Sequence, residues 1–282
     1  MLSTYLSFVR FSHSVFALPF ALTGALLAAR HHAVSWTQIG WIVVAMVAAR
    51  SAAMGFNRLV DARFDARNPR TAMREIPRGV ISRPAAAAFV AGSSAIFVGA
   101  AWQLGWVCFV LSPLALAIVF WYSLAKRFTP YTQAFLGLAM AVAPVGGWLA
   151  SGGALLAAEP WLLGLAIGLW VGGFDVLYAC QDVEFDMASG LQSIPTRFGV
   201  PGALAISRAM HVATVAVMIL LGIVADLGGV YQIGVGLVAV LLAYEQSLVS
   251  ASDLSQVKRA FDLNGFVGML YLLTTATAVW WR

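Results

Sequence analysis

Two short segments of the sequence place acidic side chains at a regular interval. In the first segment, Asn57, Asp61 and Asp65 are four residues apart. A spacing of four puts side chains on one face of a helix, one turn apart. Carboxylates in that arrangement repel each other by about 0.2–0.5 kcal/mol per pair. The spacing therefore predicts a helical face that is neutralised, either by a bound cation or by the arginines nearby.

The second segment repeats this spacing further along the chain. Tyr178, Asp182 and Asp186 are again four residues apart, and each lies 121 residues after its counterpart in the first segment. No basic residue follows this set before Arg197. A metal ion is the simplest neutraliser of the second set, whereas an ion-pair network remains open for the first.

The residue types also suit a particular pair of ligands. Two sets of carboxylates offer only oxygen ligands, which suit Mg²⁺, a cation that binds one or two carboxylates together with substrate phosphates. Arg70 and Arg74 follow the first set, and Lys126 and Arg127 belong to the phrase YSLAKRFT. These side chains donate charge-assisted hydrogen bonds to phosphate oxygens. Acids for a metal and bases for phosphate predict a site for a diphosphate.

The elements that position these residues are membrane helices. Of the 282 residues, 61% are hydrophobic and 10% are charged, and uncharged runs of about 20 residues recur, the length that crosses a bilayer. Their Ala, Leu and Gly content and lack of alternation favour helices over strands. The pattern predicts an all-α polytopic membrane protein with nine transmembrane helices, at residues 13–30, 36–56, 84–102, 106–124, 132–151, 160–180, 202–224, 229–250 and 263–281.

The basic residues predict how the helices are oriented, because short cytoplasmic loops carry an excess of Lys and Arg. With the N-terminus inside, that side receives fourteen of the seventeen basic residues and both acidic segments. We expect a multi-pass protein of the cytoplasmic membrane with its site at the cytoplasmic edge, where a lipid diphosphate would bind. The net charge of +5 reflects topology and an anion site rather than nucleic-acid binding, which needs a basic soluble surface.

Both motifs and several further phrases resemble one family. NRLVDARFD fits an N-x-x-x-D-x-x-x-D motif and YACQDVEFD fits a Y-x-x-x-D-x-x-x-D motif. With VRFSHSVFALPFAL, RTAMREIPRG, YSLAKRFT, APVGGWLASGG and GLQSIPTRFG, they resemble the UbiA superfamily of intramembrane aromatic prenyltransferases over nearly the whole chain. The resemblance implies nine helices around a central cavity, in a single domain at 1–282. The repeated spacing adds two weak parallel repeats, about 1–130 and 131–282.

The resemblance also implies the reaction. Such enzymes use Mg²⁺ to ionise an allylic polyprenyl diphosphate, and the allyl cation then substitutes a hydroxylated aromatic acid. The residues that match the motif acids are expected to bind the metal and to be catalytic, and they are Asp61, Asp65, Asp182 and Asp186. Which of Asp182 and Asp186 accepts the released proton stays open.

Further residues are expected to bind the substrates. Arg70, Arg74 and Lys126 are candidates for the diphosphate, and Asn57 is a candidate metal ligand or orienting group. Tyr178 is expected beside the allyl cation, because aromatic faces favour cations. Arg10, just before the first span, is the candidate for the acceptor's carboxylate. For the three arginines, a role that only sets topology remains open.

The identity of the acceptor stays open at this stage. Gln192 in GLQSIP and the phrase DVEFD favour the menaquinone-linked branch, with 1,4-dihydroxy-6-naphthoate as acceptor, over the 4-hydroxybenzoate branch of ubiquinone synthesis. A porphyrin or lipid acceptor is an alternative. An ion-coupled membrane transporter is a rival class, because paired intramembrane acids also occur in carriers. CDP-alcohol phosphotransferases fit less well, because DARFDARN lacks their Asp-Gly pair.

Overall fold

The computed structural model describes residues 2–9 and 11–280 of the chain. In these ranges the regular elements are helical, apart from an isolated bridge between Ser250 and Asp253. A 3₁₀ turn at Cys180–Asp182 separates α7 from α8. The helices are α1 Leu2–Phe8, α2 Phe11–Ala28, α3 Trp36–Asp65, α4 Arg83–Gln103, α5 Trp106–Ala125, α6 Thr132–Ala150, α7 Ala158–Ala179, α8 Val183–Ala188, α9 Ile194–Val224, α10 Gly228–Ser247 and α11 Val257–Trp280.

The prediction of a helical membrane protein is confirmed. Within the described ranges, eight helical segments are long and apolar enough to cross a membrane, and α7 and α8 together form one of them, Ala158–Ala188. The first predicted span, 13–30, coincides with α2, whose described apolar stretch Ala17–Ala28 is shorter. Among the described residues there are therefore eight long spans where nine were predicted, with α2 as the additional apolar helix.

Two helices extend beyond their predicted boundaries. The span predicted at 36–56 continues as α3 to Asp65, so the whole first motif is helical. The span predicted at 202–224 begins earlier, at Ile194, because Ser193 and Thr196 form a capping box and a proline follows in the first turn. A kink at Gly199, with a φ of 69°, divides that helix. Both helices continue into polar residues, whereas the predicted spans covered only the apolar runs, so the prediction made both helices too short.

Small residues let the central helices approach closely. A Cβ on Gly24 of α2 would lie 2.0 Å from the Pro144 carbonyl oxygen of α6, and one on Gly147 would lie 2.0 Å from the Ala21 carbonyl oxygen. Gly137 meets α7 in the same way, with 2.2 Å to the Gly168 carbonyl oxygen. Close backbone approach at small residues is how membrane helices gain packing energy without a hydrophobic driving force. It fixes α2, α6 and α7 as the centre of the bundle.

The two motifs come to the same end of this bundle. α3 and α7 both run toward it, and α5 ends there with Lys126 as its C-cap residue. The segment 66–82 follows α3 and α8 follows α7, so both cover this end. Ser7 of α1 donates a hydrogen bond to Glu75 of that segment, with 2.7 Å between Oγ and Oε1. The fold therefore positions two helix ends and two connecting segments around one cavity.

Candidate active site

One cavity of about 260 Å³ contains almost every residue that the sequence singled out. Its walls come from α3, α5, α6, α7 and α8, with contributions from the two connecting segments. Arg10 lies outside the described residues. The predicted site residues that line the cavity are Asn57, Asp61, Asp65, Arg70, Arg74, Lys126, Tyr178, Asp182 and Asp186.

Asp61 lies between two cations from the end of α5. The Lys126 Nζ is 2.6 Å from one of its carboxylate oxygens, and the Arg127 Nη2 is 3.0 Å from the other. Asn57, one turn earlier on α3, donates a hydrogen bond to the same carboxylate at 3.3 Å. Asp61 is only 2% exposed. These contacts offset the free-energy cost of burying its charged carboxylate.

Asp65, one turn further along α3, binds a single arginine. The Arg74 Nη1 lies 2.7 Å from its Oδ1, whereas its Oδ2 is buried without a hydrogen-bond partner in the described part of the chain. The Thr71 hydroxyl donates to the Asp65 carbonyl oxygen at 3.1 Å. The connecting segment is thus tied to the end of α3, and one carboxylate oxygen is left available for a ligand.

The second motif does not lie on one regular α-helix, and the expectation of a single helical face was wrong there. Tyr178 belongs to α7, Asp182 ends the 3₁₀ turn and Asp186 belongs to α8. All three residues nevertheless line the cavity. The change of helix type redirects the chain while it keeps both carboxylates on the cavity side.

Asp182 is bound by the segment that follows the first motif. The Arg70 guanidinium donates to both carboxylate oxygens, through Nε at 3.0 Å to Oδ1 and through Nη2 to Oδ2. Its Nη1 also donates to the Tyr178 hydroxyl at 2.9 Å, and Asn68 donates to Asp182 at 3.4 Å. Burial lowers the pKa of Arg70, but the hydrogen bond and charge of Asp182 outweigh this and raise it. A charged arginine therefore bridges the two motif regions.

Asp186 differs from the other three motif acids. Across residues 2–9 and 11–280, its side chain has no hydrogen bond or ion pair within the usual distances. The main chain after it is held by a bond of 2.8 Å from the Gln192 amide to the Lys126 carbonyl oxygen. Asp186 is thus positioned at the cavity with its carboxylate free for a ligand.

The comparisons with known proteins agree with this geometry. The model of the UbiA prenyltransferase family matches residues 17–273. The chain belongs to the UbiA prenyltransferase family. It is 32% identical to the 4-hydroxybenzoate octaprenyltransferase of Edwardsiella ictaluri (strain 93-146) over 234 residues, 79% of this chain and 77% of that protein.

Two solved structures have the same fold. The apo structure of a UbiA homolog from Aeropyrum pernix K1 is 37% identical, with a TM-score of 0.87, and the match covers 93% of this chain and 96% of that one. A UbiA homolog from Archaeoglobus fulgidus bound to GPP and Mg²⁺ has a TM-score of 0.73 at 17% identity, covering 98% and 99% of the two chains. The predictions of the UbiA family, its helical fold and a prenyltransferase enzyme are confirmed.

The residues of this UbiA cavity fit a magnesium ion in their chemistry. All four motif acids offer carboxylate oxygens to one cavity, and the buried Oδ2 of Asp65 has no partner in the described structure. In those ranges no three His, Cys, Asp or Glu side chains are grouped closely enough to hold a metal by themselves. Mg²⁺ commonly completes its coordination with water and substrate phosphate, so such an arrangement fits a metal that binds together with a diphosphate.

Three further polar residues were not assigned a role from the sequence, two in the cavity wall and one on α3 that does not line it. Asp175 and Tyr122 line the cavity wall. Arg50 lies seven residues before Asn57 on α3, and its Nη1 is 3.9 Å from the Met140 sulfur. A spacing of seven or three returns to the same helix face, so Arg50 was detectable from its distance to Asn57 and Asp175 from its distance to Tyr178.

Proposed function

We propose that this protein transfers a polyprenyl group from an allylic polyprenyl diphosphate to a hydroxylated aromatic acid, with Mg²⁺ as cofactor. The observation that carries the proposal is the alternation of four motif acids with Lys126, Arg70 and Arg74 around one cavity at the ends of membrane helices. The related Edwardsiella ictaluri protein is named a 4-hydroxybenzoate octaprenyltransferase. The Archaeoglobus fulgidus homolog was solved with GPP and Mg²⁺, which supports the same ligand classes here.

In this proposal, Lys126, Arg70 and Arg74 bind carboxylates before the diphosphate arrives and phosphate oxygens afterwards. In the structure described above, Lys126 neutralises Asp61, Arg74 neutralises Asp65 and Arg70 neutralises Asp182. A diphosphate brings oxygens that attract the same cations more strongly, and arginine can bind two of them at once. The three basic side chains then turn to the phosphates, and the carboxylates become available.

The released carboxylates are the proposed metal ligands. Asp61, Asp65, Asp182 and Asp186 would hold Mg²⁺, and Asn57 would orient Asp61 through their hydrogen bond. When bound, Mg²⁺ supplies positive charge that stabilises the departing pyrophosphate. Lys126 and the arginines, once they are bound to the phosphates, stabilise the same developing charge.

The cavity must also protect an allyl cation from water. The Tyr178 ring lies beside the Arg70 guanidinium, with 5.3 Å from its centroid to Cζ. The Phe64 ring has Lys126 and Arg127 at 5.8 and 5.6 Å. These faces already accommodate positive charge, and a cation formed between them is shielded by the protein from water.

The acceptor's carboxylate needs a cation of its own. Arg10, at the start of the first predicted span, remains our proposal for drawing the acid into the mouth of the cavity. On the described residues, Arg50 is a second candidate for holding it, because an arginine inside a membrane span is costly and commonly marks a function. The Arg50 Nε is buried without a hydrogen-bond partner in the described chain. Both 4-hydroxybenzoate and 1,4-dihydroxy-6-naphthoate carry the required hydroxyl and carboxylate.

The orientation and the internal repeats are proposals as well. Exposed basic residues at the motif end of the bundle, including Arg63, Arg67 and Arg197, support a cytoplasmic site by the positive-inside rule. The repeats at about 1–130 and 131–282 are supported by equivalent packing, because α3 contacts α2 and α4 as α7 contacts α6 and α9. A transporter is disfavoured, because carriers hold their ions near the membrane midplane, whereas these acids lie at helix ends.

The test is a reaction with the purified protein in lipid nanodiscs. We expect Mg²⁺-dependent formation of a prenylated aromatic acid with one pyrophosphate released per product, from a polyprenyl diphosphate and either acid. Mass spectrometry and a pyrophosphate assay measure the two products. Asp182→Asn is the inactive control, and Glu184→Gln, an exposed acid outside the cavity lining, is the active one. Pyrophosphate release without any prenylated aromatic product would contradict the proposed acceptor class.

A further inference from the structure

A second layer of polar residues lies deeper in the cavity than the four motif acids. Asp175, Tyr178 and Asp182 all line the cavity, and Asp175 is seven residues before Asp182. Asp175 lies about one turn before the end of α7, and the 3₁₀ turn that ends at Asp182 follows, so Asp175 lies deeper in the bundle than Asp182. Tyr122 of α5 lines the same cavity, four residues before Lys126. The layer therefore contains an acid and a phenol from two helices.

Asp175 is distinguished by what surrounds it. Asp61, Asp65 and Asp182 each form an ion pair, whereas Asp175 has neither an ion pair nor a side-chain hydrogen bond in the described part of the chain. A carboxylate at membrane depth without such a partner is costly. A ligand that donates a hydrogen bond into the cavity would remove that cost.

We propose that Asp175 accepts a hydrogen bond, and then the proton, from the hydroxyl group of the aromatic acceptor. This inference rests on the proposed function, since it requires a hydroxylated acceptor in the cavity. The acceptor then lies with its hydroxyl group at Asp175 and with its ring beside Tyr122, the two residues that line this part of the cavity. The diphosphate occupies the outer layer, so the allylic carbon and the ring meet between the two layers.

The proton and electron changes balance in this arrangement. The allylic C–O bond breaks and its electron pair leaves with pyrophosphate. The ring carbon next to the hydroxyl then forms the new C–C bond while the hydroxyl proton passes to Asp175, which gives a neutral dienone. The proton on that ring carbon leaves to pyrophosphate, and Asp175 returns its proton to the oxygen. Asp175 thus ends the cycle unchanged, and one proton leaves with pyrophosphate.

The experiment compares acceptors that differ only in the hydroxyl proton. Asp175→Asn keeps the shape of the side chain and removes the base, so turnover of 4-hydroxybenzoate should fall about 100-fold or more. The slow wild-type reaction with 4-methoxybenzoate, which has no proton to give, should be unchanged. The hydroxyl group of 3-fluoro-4-hydroxybenzoate is more acidic, so the fall in turnover caused by Asp175→Asn should be several-fold smaller with this acceptor. Glu184→Gln is the matched control, and its turnover should equal that of the wild-type protein with every acceptor.

Release of pyrophosphate from the prenyl diphosphate without acceptor reports on the outer layer. It should persist in Asp175→Asn and disappear in Asp182→Asn. As a second variant, Asp175→Ala should regain activity with added formate, which supplies a small carboxylate. Equal losses with hydroxy and methoxy acceptors, or loss of acceptor-free pyrophosphate release in both Asp175 variants, would overturn the assignment. Wild-type protein that releases pyrophosphate but prenylates no hydroxy acid would instead refute the proposed function.

Discussion

The two motif regions have the same residue spacing and different structures. Asp61 and Asp65 lie on the continuous helix α3, whereas the chain changes from α7 to a 3₁₀ turn before Asp182. Asp61 is 2% exposed and is neutralised by two cations from the end of α5. The Asp182 side chain is 18% exposed, and Arg70, which binds it, is 37% exposed.

This difference shows how one chemical motif is supported in two ways. In the first region Asp61 is held by Lys126 and Arg127 at the end of a neighbouring helix, so it is built into the bundle, whereas Asp65 is held by Arg74 of the connecting segment. The second region is held by Arg70 and Asn68, which belong to the connecting segment that follows the first motif. The same segment therefore joins the two halves of the site. Mutations in the first region should affect both stability and activity, and mutations in the second should affect mainly activity.

The largest expected effect comes from removing one charge in each region. Asp61→Asn and Asp182→Asn should each reduce pyrophosphate release about 100-fold or more, because an amide cannot hold the metal's charge. Asp61→Asn also removes the negative charge that pairs with Lys126 and Arg127, which should lower the folding stability. Its thermal unfolding midpoint in detergent should fall well below that of Asp182→Asn. More than a tenth of wild-type activity in either variant would contradict the metal assignment.

The next effect concerns the metal itself. Chelation with EDTA should abolish pyrophosphate release, and added Mg²⁺ should restore it. Asp186→Asn should raise the Mg²⁺ concentration for half-maximal activity about tenfold or more while leaving the unfolding midpoint unchanged, because Asp186 has no ion pair to lose in the described structure. Asp65→Asn should shift both quantities, because it leaves Arg74 unpaired. An unchanged Mg²⁺ dependence in both variants would remove these residues from the metal site.

A third prediction separates the two cations of Asp61. Lys126 lines the cavity and Arg127 does not, although both bind this carboxylate. Lys126→Ala should raise the KM for the prenyl diphosphate about 10–100-fold, because a charged hydrogen bond contributes about 1.5–3 kcal/mol. The KM for the aromatic acid should change less. Arg127→Ala should lower the unfolding midpoint with a smaller change in KM, and an unchanged donor KM in Lys126→Ala would exclude Lys126 from the site.

The smallest expected effect lies outside both motifs. Arg10→Ala and Arg50→Ala should raise the KM for the aromatic acid about tenfold and leave that for the diphosphate nearly unchanged. The KM for a decarboxylated phenol should change little in either variant, because this acceptor has no carboxylate to bind. Steady-state kinetics with matched acid and phenol pairs measure this difference. Equal losses with acid and phenol would assign the arginine concerned to structure or topology.

Much of this molecule followed from its sequence because the relevant signals are local. Apolar runs long enough to cross a bilayer identified the helices, and the residues of the two motifs identified the family. The spacing of Asn57, Asp61 and Asp65 correctly predicted a single helix face. The same argument failed for Tyr178, Asp182 and Asp186, because spacing does not reveal where a helix changes to a 3₁₀ turn.

Only the tertiary structure decided which charges meet. Arg70 and Asp182 are 112 residues apart in the chain, and Lys126 and Asp61 are 65 apart, so their pairing depends on how α3, α5 and α7 pack. The sequence determined that acids and bases gather at one end of a membrane bundle. The fold determined that each base neutralises a particular acid, that Asp186 keeps a free carboxylate in the described structure, and that Asp175 and Tyr122 form a deeper layer. These contacts depend on the distances between helices, which the sequence of one helix does not determine.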